Sequence, residues 1–345
     1  MRFRFCAFVL GTMLMATAGM CAQQPEIVHA RLTVRAADGG LREVIRALEG
    51  EAEPVWVGYG IPVEGFRSGW NSDRVAYLEG SERYSGGSSG TGKDAVQDHA
   101  AVLLRIAHGA IEKVRVEGPD RQIDAGGLRV VWLTDVTAAD SVRVWKGVAL
   151  AGDARPLRDS AVFLVALHRS PEAVPALLAL AAPGNDVELR EKAAFWLASQ
   201  RGREGFLAIQ RFAREDGDAP FREKLTFDLT LSKEPAALEE LIRMAHNDAS
   251  PQVRRQAQFW MATRGGGQVA GDLRSSAAND PDQQVRQSAV FALSRLPGDQ
   301  AASQLIEVAG SSKDPEVRKQ AIFWLGQSND PRALEYLTKL LTSSR

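Results

Sequence analysis

Residues 314–325 read Asp314-Pro-Glu-Val-Arg-Lys-Gln-Ala-Ile-Phe-Trp-Leu325. Val317, Ala321, Trp324 and Leu325 recur at i, i+4, i+7 and i+8, an apolar stripe at helical period. Asp314 stands before Pro315, an N-cap followed by proline at the first helical position, where a missing N–H costs nothing. The spacing predicts a helix from Pro315. A second is expected from Pro331, with Leu334, Leu337 and Leu341 on one face at i, i+3 and i+7.

Working outward, the same pattern returns upstream. Phe163, Phe195, Phe227, Phe259, Phe291 and Phe323 stand 32 residues apart. Five residues before each is an arginine: Arg158, Arg190, Arg222, Arg254, Arg286 and Arg318. Two after each is Val165, Leu197, Leu229, Met261, Leu293 or Leu325, and fourteen after is Leu177, Ile209, Leu241, Leu273, Leu305 or Leu337. A fixed period of this length marks a solenoid, whose units bury their apolar faces on one another. The units fall near 151–185, 186–218, 219–250, 251–282, 283–314 and 315–345. Unit four is irregular: Gly265, Gly266 and Gly267 occupy its inter-helix turn, where a soft joint is expected.

The Asp-Pro-x-Val-Arg-x-x-Ala-x-x-x-Leu run at 314–325 and its counterparts resemble the HEAT repeat family in its short bacterial form. The resemblance covers 151–345. It implies a six-unit α-solenoid and, for the arginine, a structural role bonding into neighbouring turns, with the caps Asp186, Asp218, Asp282 and Asp314 as expected acceptors. It also implies that protein partners are commoner than chemistry, since a fold does not name a ligand.

Residues 26–149 have a different texture and read as a small α/β domain. Strands are expected at 26–36, 55–59, 111–116 and 128–133, with helices at 40–48, 94–110 and 138–149. The Gly/Ser-rich stretch 60–93 reads as a long surface loop. The chain as a whole is therefore expected to be mainly α, a solenoid preceded by a small mixed domain.

Ahead of both, Arg2 and Arg4 precede an apolar run from Phe5 to Met15, and Ala16, Thr17, Ala18 and Gly19 follow. This is a secretory signal peptide over 1–22, cleaved after Ala18 or Ala22, and it predicts export to periplasm or medium. Met20 directly before Cys21 fits a lipoprotein signal poorly, which disfavours lipidation. No later stretch approaches the length of a membrane span. Without Arg2 and Arg4, 40 basic residues face 43 acidic ones, so no excess of positive charge points to nucleic acid.

Candidate chemistry is sparse. Gly87-Ser-Ser-Gly-Thr-Gly-Lys93 resembles a P-loop, but Asp94 stands where the magnesium-binding Ser or Thr belongs. His29, His99, His108, His168 and His246 lack metal-ligand spacing, and no Gly-x-Ser-x-Gly elbow occurs. No cofactor and no metal site is expected. The Phe ladder is the exception. With Val317 at the origin of the helix, Phe323 falls at about 240°, between Lys319 at about 200° and Gln320 at about 300°. An aromatic residue thus recurs on the polar face. Either each ring folds against the adjacent repeat, or Phe163, Phe195, Phe227, Phe259, Phe291 and Phe323 form a partner-binding strip. The first functional reading is an exported, non-enzymatic scaffold for a protein or peptide. The alternative is an envelope enzyme with its site in the N-terminal domain and the solenoid recruiting substrate.

Overall fold

The computed structural model describes residues 24–66, 75–79, 96–152, 154–297 and 300–343. Residues 1–22, expected to be a signal peptide, and Gly87–Lys93 lie outside them. The chain divides between Thr137 and Ala138 into two units.

The first unit is built on a five-stranded sheet of order β2-β8-β3-β5-β6. Its strands are β2 (Arg31–Arg35), β3 (Val55–Phe66), β5 (Gln97–Ala107), β6 (Ala110–Glu117) and β8 (Arg129–Leu133). β8 lies parallel to both β2 and β3, while β5 runs antiparallel to β3 and β6. The short strands β1 (Ile27–Val28), β4 (Ala76–Tyr77) and β7 (Ile123–Asp124) form a separate parallel sheet, and α1 spans Leu41–Glu49. Trp56, Leu103, Val130 and Trp132 anchor the core. Gly58 is required there, because a Cβ would sit 2.6 Å from the Trp132 ring.

Two expectations for this unit are corrected. Residues 94–110 were expected to be a helix on the spacing of Val96, Ala100, Leu103, Leu104 and Ala107; the described part is strand β5. Residues 100–104 are buried in succession, so the strand shows no alternation, and a fully buried strand mimics a helical stripe. His108 and Gly109 then turn the chain into β6 with φ of 52° and 78°, the left-handed pair a tight hairpin needs. The surface loop at 60–93 also begins later than expected, since β3 continues to Phe66.

The second unit is helical throughout. It opens with α2 (Ala138–Ala151), which packs on α3 and α4 and so belongs with the solenoid, whereas the sequence pattern ended the small domain at 149. The six pairs follow: α3 (Arg155–Leu167) with α4 (Ala173–Leu180), α5 (Val187–Gln200) with α6 (Gly202–Glu215), α7 (Ala219–Leu231) with α8 (Ala236–Asn247). Then come α9 (Pro251–Gly265) with α10 (Ala270–Asn279), α11 (Gln283–Ser294) with α12 (Gln300–Ser311), and α13 (Pro315–Gly326) with α14 (Pro331–Ser343). The predicted stripes are the core. Leu197, Leu229, Met261, Leu293 and Leu325 are buried, as are Leu177, Ile209, Leu241, Leu273 and Leu305. Each contributes about 1.5–3 kcal/mol by leaving water. Leu337 is only half-buried and Leu334 and Leu341 are exposed, on a face of α14 that no described element covers.

The arginine ladder stitches the turns together. Arg222 donates to both carboxylate oxygens of Asp248, at 2.9 and 2.8 Å, and to the Asp216 carbonyl at 2.8 Å. Arg254 repeats this on Asp280, at 2.8 and 2.9 Å, and on the Asp248 carbonyl. Each arginine thus joins the turn before its helix to the turn after its repeat. Arg190 reaches Asp216 and Asp218, Arg286 reaches Asp314, and Arg158 reaches Asp186 and Glu188. The structural role is as expected, but in the middle of the array the main acceptors lie two residues before the expected caps. Asp216, Asp248 and Asp280 also accept the backbone N–H two residues on, an Asx turn that shapes the link between repeats. Asp186, Asp282 and Asp314 do cap their helices; Asp218 does not, and turns to Arg190 instead.

The glycine run of unit four is a packing device. Gly265 lies where a Cβ would meet Val269 at 2.6 Å and Leu238 at 3.1 Å, and Gly266 takes φ of 52° to turn α9 into a short 3-10 segment, Gly266–Val269. The run that the sequence marks as a soft joint is thus closely packed at Gly265.

Candidate functional site

The first helices of successive repeats pack side by side, α3 on α5, α5 on α7, α7 on α9, α9 on α11 and α11 on α13. This lines up every residue that shares a register. The Phe ladder is one such line. Phe163, Phe195, Phe259 and Phe291 are half-buried, while Phe227 is 37% and Phe323 52% exposed.

What holds the rings is the next register, one residue on. It reads Leu164, Trp196, Asp228, Trp260, Ala292, Trp324, with tryptophan in every second repeat. Each tryptophan wedges between its own phenylalanine and that of the preceding repeat. Trp196 touches Phe163 and Phe195, both at 5.1 Å between ring centroids; Trp260 touches Phe227 at 5.0 Å and Phe259 at 4.9 Å; Trp324 touches Phe291 and Phe323 at 5.1 Å. Phe259 and Phe291 stack directly at 6.4 Å with planes 7° apart. The result is an unbroken aromatic band from Phe227 through Trp260, Phe259, Phe291 and Trp324 to Phe323. A shorter band joins Phe163, Trp196 and Phe195. The two readings of the ladder therefore divide by position: the internal rings fold against neighbours, and two rings stay open to solvent. Among the described residues no arginine lies over these rings; the guanidinium of Arg190 instead lies 3.9 Å from the centroid of Phe221.

Between the bands the register holds Asp228, which is 4% exposed. It lines a cavity of about 270 Å³ with Glu191, Glu223, Lys224, Phe227, Gln256 and Trp260. Among the described residues its Oδ2 has no hydrogen-bond partner, nor has the indole N–H of Trp260. Burial pushes the Asp228 carboxyl up to about 8, helped by the nearby Glu191 charge and opposed by Lys224. Burial raises Glu191 as well.

The other candidates sort differently. His168 is fully buried, donates its Nδ1–H to the Leu164 carbonyl over 2.6 Å, and is held down to about 4 by burial, so it is neutral at pH 7. His29 pairs with Asp124 and His108 with Glu112. Among the described residues no group of three or more His, Cys, Asp or Glu is placed to hold a metal ion, and no helix is long and apolar enough to cross a membrane. Trp196, Trp260, Trp324 and Asp228 were absent from the expected site, although the register one past the Phe ladder displays all four.

The helical unit is an α-solenoid, and its last part, residues 271–345, matches the family model for HEAT repeats. No curated protein matches the chain. Human deoxyhypusine hydroxylase is 17% identical over 58% of this chain and 77% of its own, with a TM-score of 0.33. The CpcE–CpcF complex of phycocyanin lyase from Nostoc sp. PCC7120 is 22% identical over 46% of this chain and 100% of that one, at 0.34. Kap121p is 15% identical over 59% of this chain and 27% of its own, at 0.38. At these scores the likeness says nothing about activity or partner.

Proposed function

We propose that the protein is an exported, non-enzymatic scaffold whose HEAT solenoid binds a protein or peptide along the face made by its first helices. The observation that carries this is the aromatic band, fixed from within by Trp260 and Trp324 and open at Phe323. Rigid aromatic side chains give large contact area at small entropic cost, which suits an interface. A half-open aromatic line across four repeats is also costly in water without a partner.

Phe323 is the residue to test, because its ring is exposed and its loss leaves the core intact. Phe323→Ala should change stability by under about 0.5 kcal/mol, the scale of a neutral surface change. The same change should abolish retention of a protein that wild-type protein captures from envelope extract. Equal capture by both would end the scaffold reading. Export rests on Arg2, Arg4 and the apolar run after them. Mass spectrometry of protein from its host should show an N-terminus near Gly19 or Gln23; an intact Met1 on the exported protein would be evidence against it.

A further inference from the structure

Asp228 breaks a rule that the rest of its register keeps. Leu164, Trp196, Trp260, Ala292 and Trp324 are apolar or aromatic, and only the third repeat places a carboxyl there. A carboxyl buried to 4% exposure loses its hydration, and Oδ2 recovers none of it from the protein. Elsewhere on this helical layer, carboxylates are answered: Asp159 by Lys192 and Glu188 by Arg155 and Arg158. Around Asp228 they are not. Among the described residues Glu191 and Glu223 make no side-chain hydrogen bond or ion pair, although both line the same cavity.

The cavity therefore gathers three carboxyl groups against the single ammonium of Lys224, with Phe227 and Trp260 supplying aromatic wall and Gln256 an amide. Such a lining repels anions. Aromatic rings beside carboxylates are the surroundings in which an organic cation loses least on leaving water, through cation–π attraction and charge-assisted hydrogen bonds. A guanidinium suits them well, being flat, weakly hydrated and able to bond two oxygens at once. About 270 Å³ admits the end of one side chain and falls short of a drug-sized ligand.

We propose that this cavity is a cation site that receives the guanidinium or ammonium head of a basic side chain on the partner chain. The assignment rests on the partner-binding role proposed for the solenoid. It deepens that role by giving the partner a chemical requirement: an arginine or lysine that enters beside Phe227, where the longer aromatic band begins. It also gives the buried carboxyl a use. Asp228 is held mostly protonated at neutral pH when the site is empty, and an entering cation favours its ionised form. Binding then releases a proton. Affinity should rise by about tenfold or more from pH 6 to pH 8.5, the range over which Asp228 ionises unaided. Burial raises Glu191 in the same direction, and the Lys224 charge works against both shifts.

The probe is acetyl-arginine-amide, titrated calorimetrically into the full chain, with acetyl-citrulline-amide as the neutral isostere. Wild-type protein should bind the arginine compound near millimolar and the citrulline compound at least about tenfold more weakly, the worth of a charge-assisted hydrogen bond. Asp228→Asn keeps the shape of the side chain and should lose about tenfold in affinity and most of the proton release. Glu191→Gln provides a second variant should Asp228→Asn fail to fold, and the exposed Glu335→Gln should change nothing. Equal binding of the two compounds, unaltered binding by the folded Asp228→Asn or Glu191→Gln protein, or no binding up to about 10 mM would each overturn the site. The two proposals separate cleanly because Phe323 lies three repeats from Asp228. A partner lost on Phe323→Ala but held fully by Asp228→Asn removes the cation site and leaves the scaffold standing. A partner indifferent to Phe323→Ala removes the scaffold reading, whatever acetyl-arginine-amide does.

Discussion

Arg254→Ala should cost about 3–5 kcal/mol, the range for breaking a buried ion pair by deleting one partner. The side chains of Arg254 and Asp280 are 8% and 5% exposed, and two parallel hydrogen bonds join them. Those bonds hold the Arg254 guanidinium above its already high range. Removing it strands the Asp280 carboxylate in a place water barely reaches and frees the Asp248 carbonyl. Lysine should not rescue, since an ammonium cannot bond both carboxylate oxygens in the plane of the fork while reaching that carbonyl. The double change Arg254→Met with Asp280→Leu should cost much less than Arg254→Ala, because no charge is left unpaired. Urea denaturation gives the total. Repeat arrays can lose all-or-none behaviour, so hydrogen exchange across 251–280 should show where the loss falls. A cost under about 1 kcal/mol would mean that the pair behaves as a screened surface bridge.

Phe259→Ala and Phe291→Ala should each cost about 3 kcal/mol, the lower end of the core-aromatic range. Both rings are half-buried and stack on each other, and each also touches a tryptophan, Trp260 or Trp324. They are coupled, so the double variant should cost less than the two losses added together. Phe323→Ala serves as the internal comparison, since its ring has one aromatic contact and is 52% exposed. Denaturant melts of the four proteins decide the matter. Losses under about 0.5 kcal/mol at both internal positions would show that the ladder contributes little to folding.

The solenoid was legible because its period repeats six times and every stripe falls on the same helical face. Local signals did less well where tertiary context overrides them. Residues 97–107 form a strand between two others, β3 and β6, and residues 100–104 are buried in an unbroken run that hides the strand period. Gly109 is the one turn residue between the two strands, and the left-handed conformations of His108 and Gly109 that close the hairpin show only in the structure. The arginine role was readable as bonding into turns, but the acceptor was not. Asp216, Asp248 and Asp280 look like ordinary loop acids until the Asx turn places them beside the guanidinium. The cavity at Asp228 was half visible. An acid in a register of Leu, Ala and Trp is a sequence-level anomaly, while the convergence of Glu191, Glu223 and Trp260 on it needs three helices in place.

The alternation of Trp196, Trp260 and Trp324 with Leu164, Asp228 and Ala292 sets a rule for how such an array can change length. By the Phe ladder the repeating module is 32 residues, but by the interlocking rings it is 64, because a tryptophan wedges between successive phenylalanines only at every second repeat. Deleting a module without tryptophan, that of Asp228 or Ala292, would seat two indoles in adjacent helices; deleting that of Trp260 would leave Asp228 beside Ala292 and no wedge between them. Deleting or copying two in tandem would preserve every wedge. The array is therefore a string of dimeric modules, and its inheritable, or engineerable, quantum of growth is the pair.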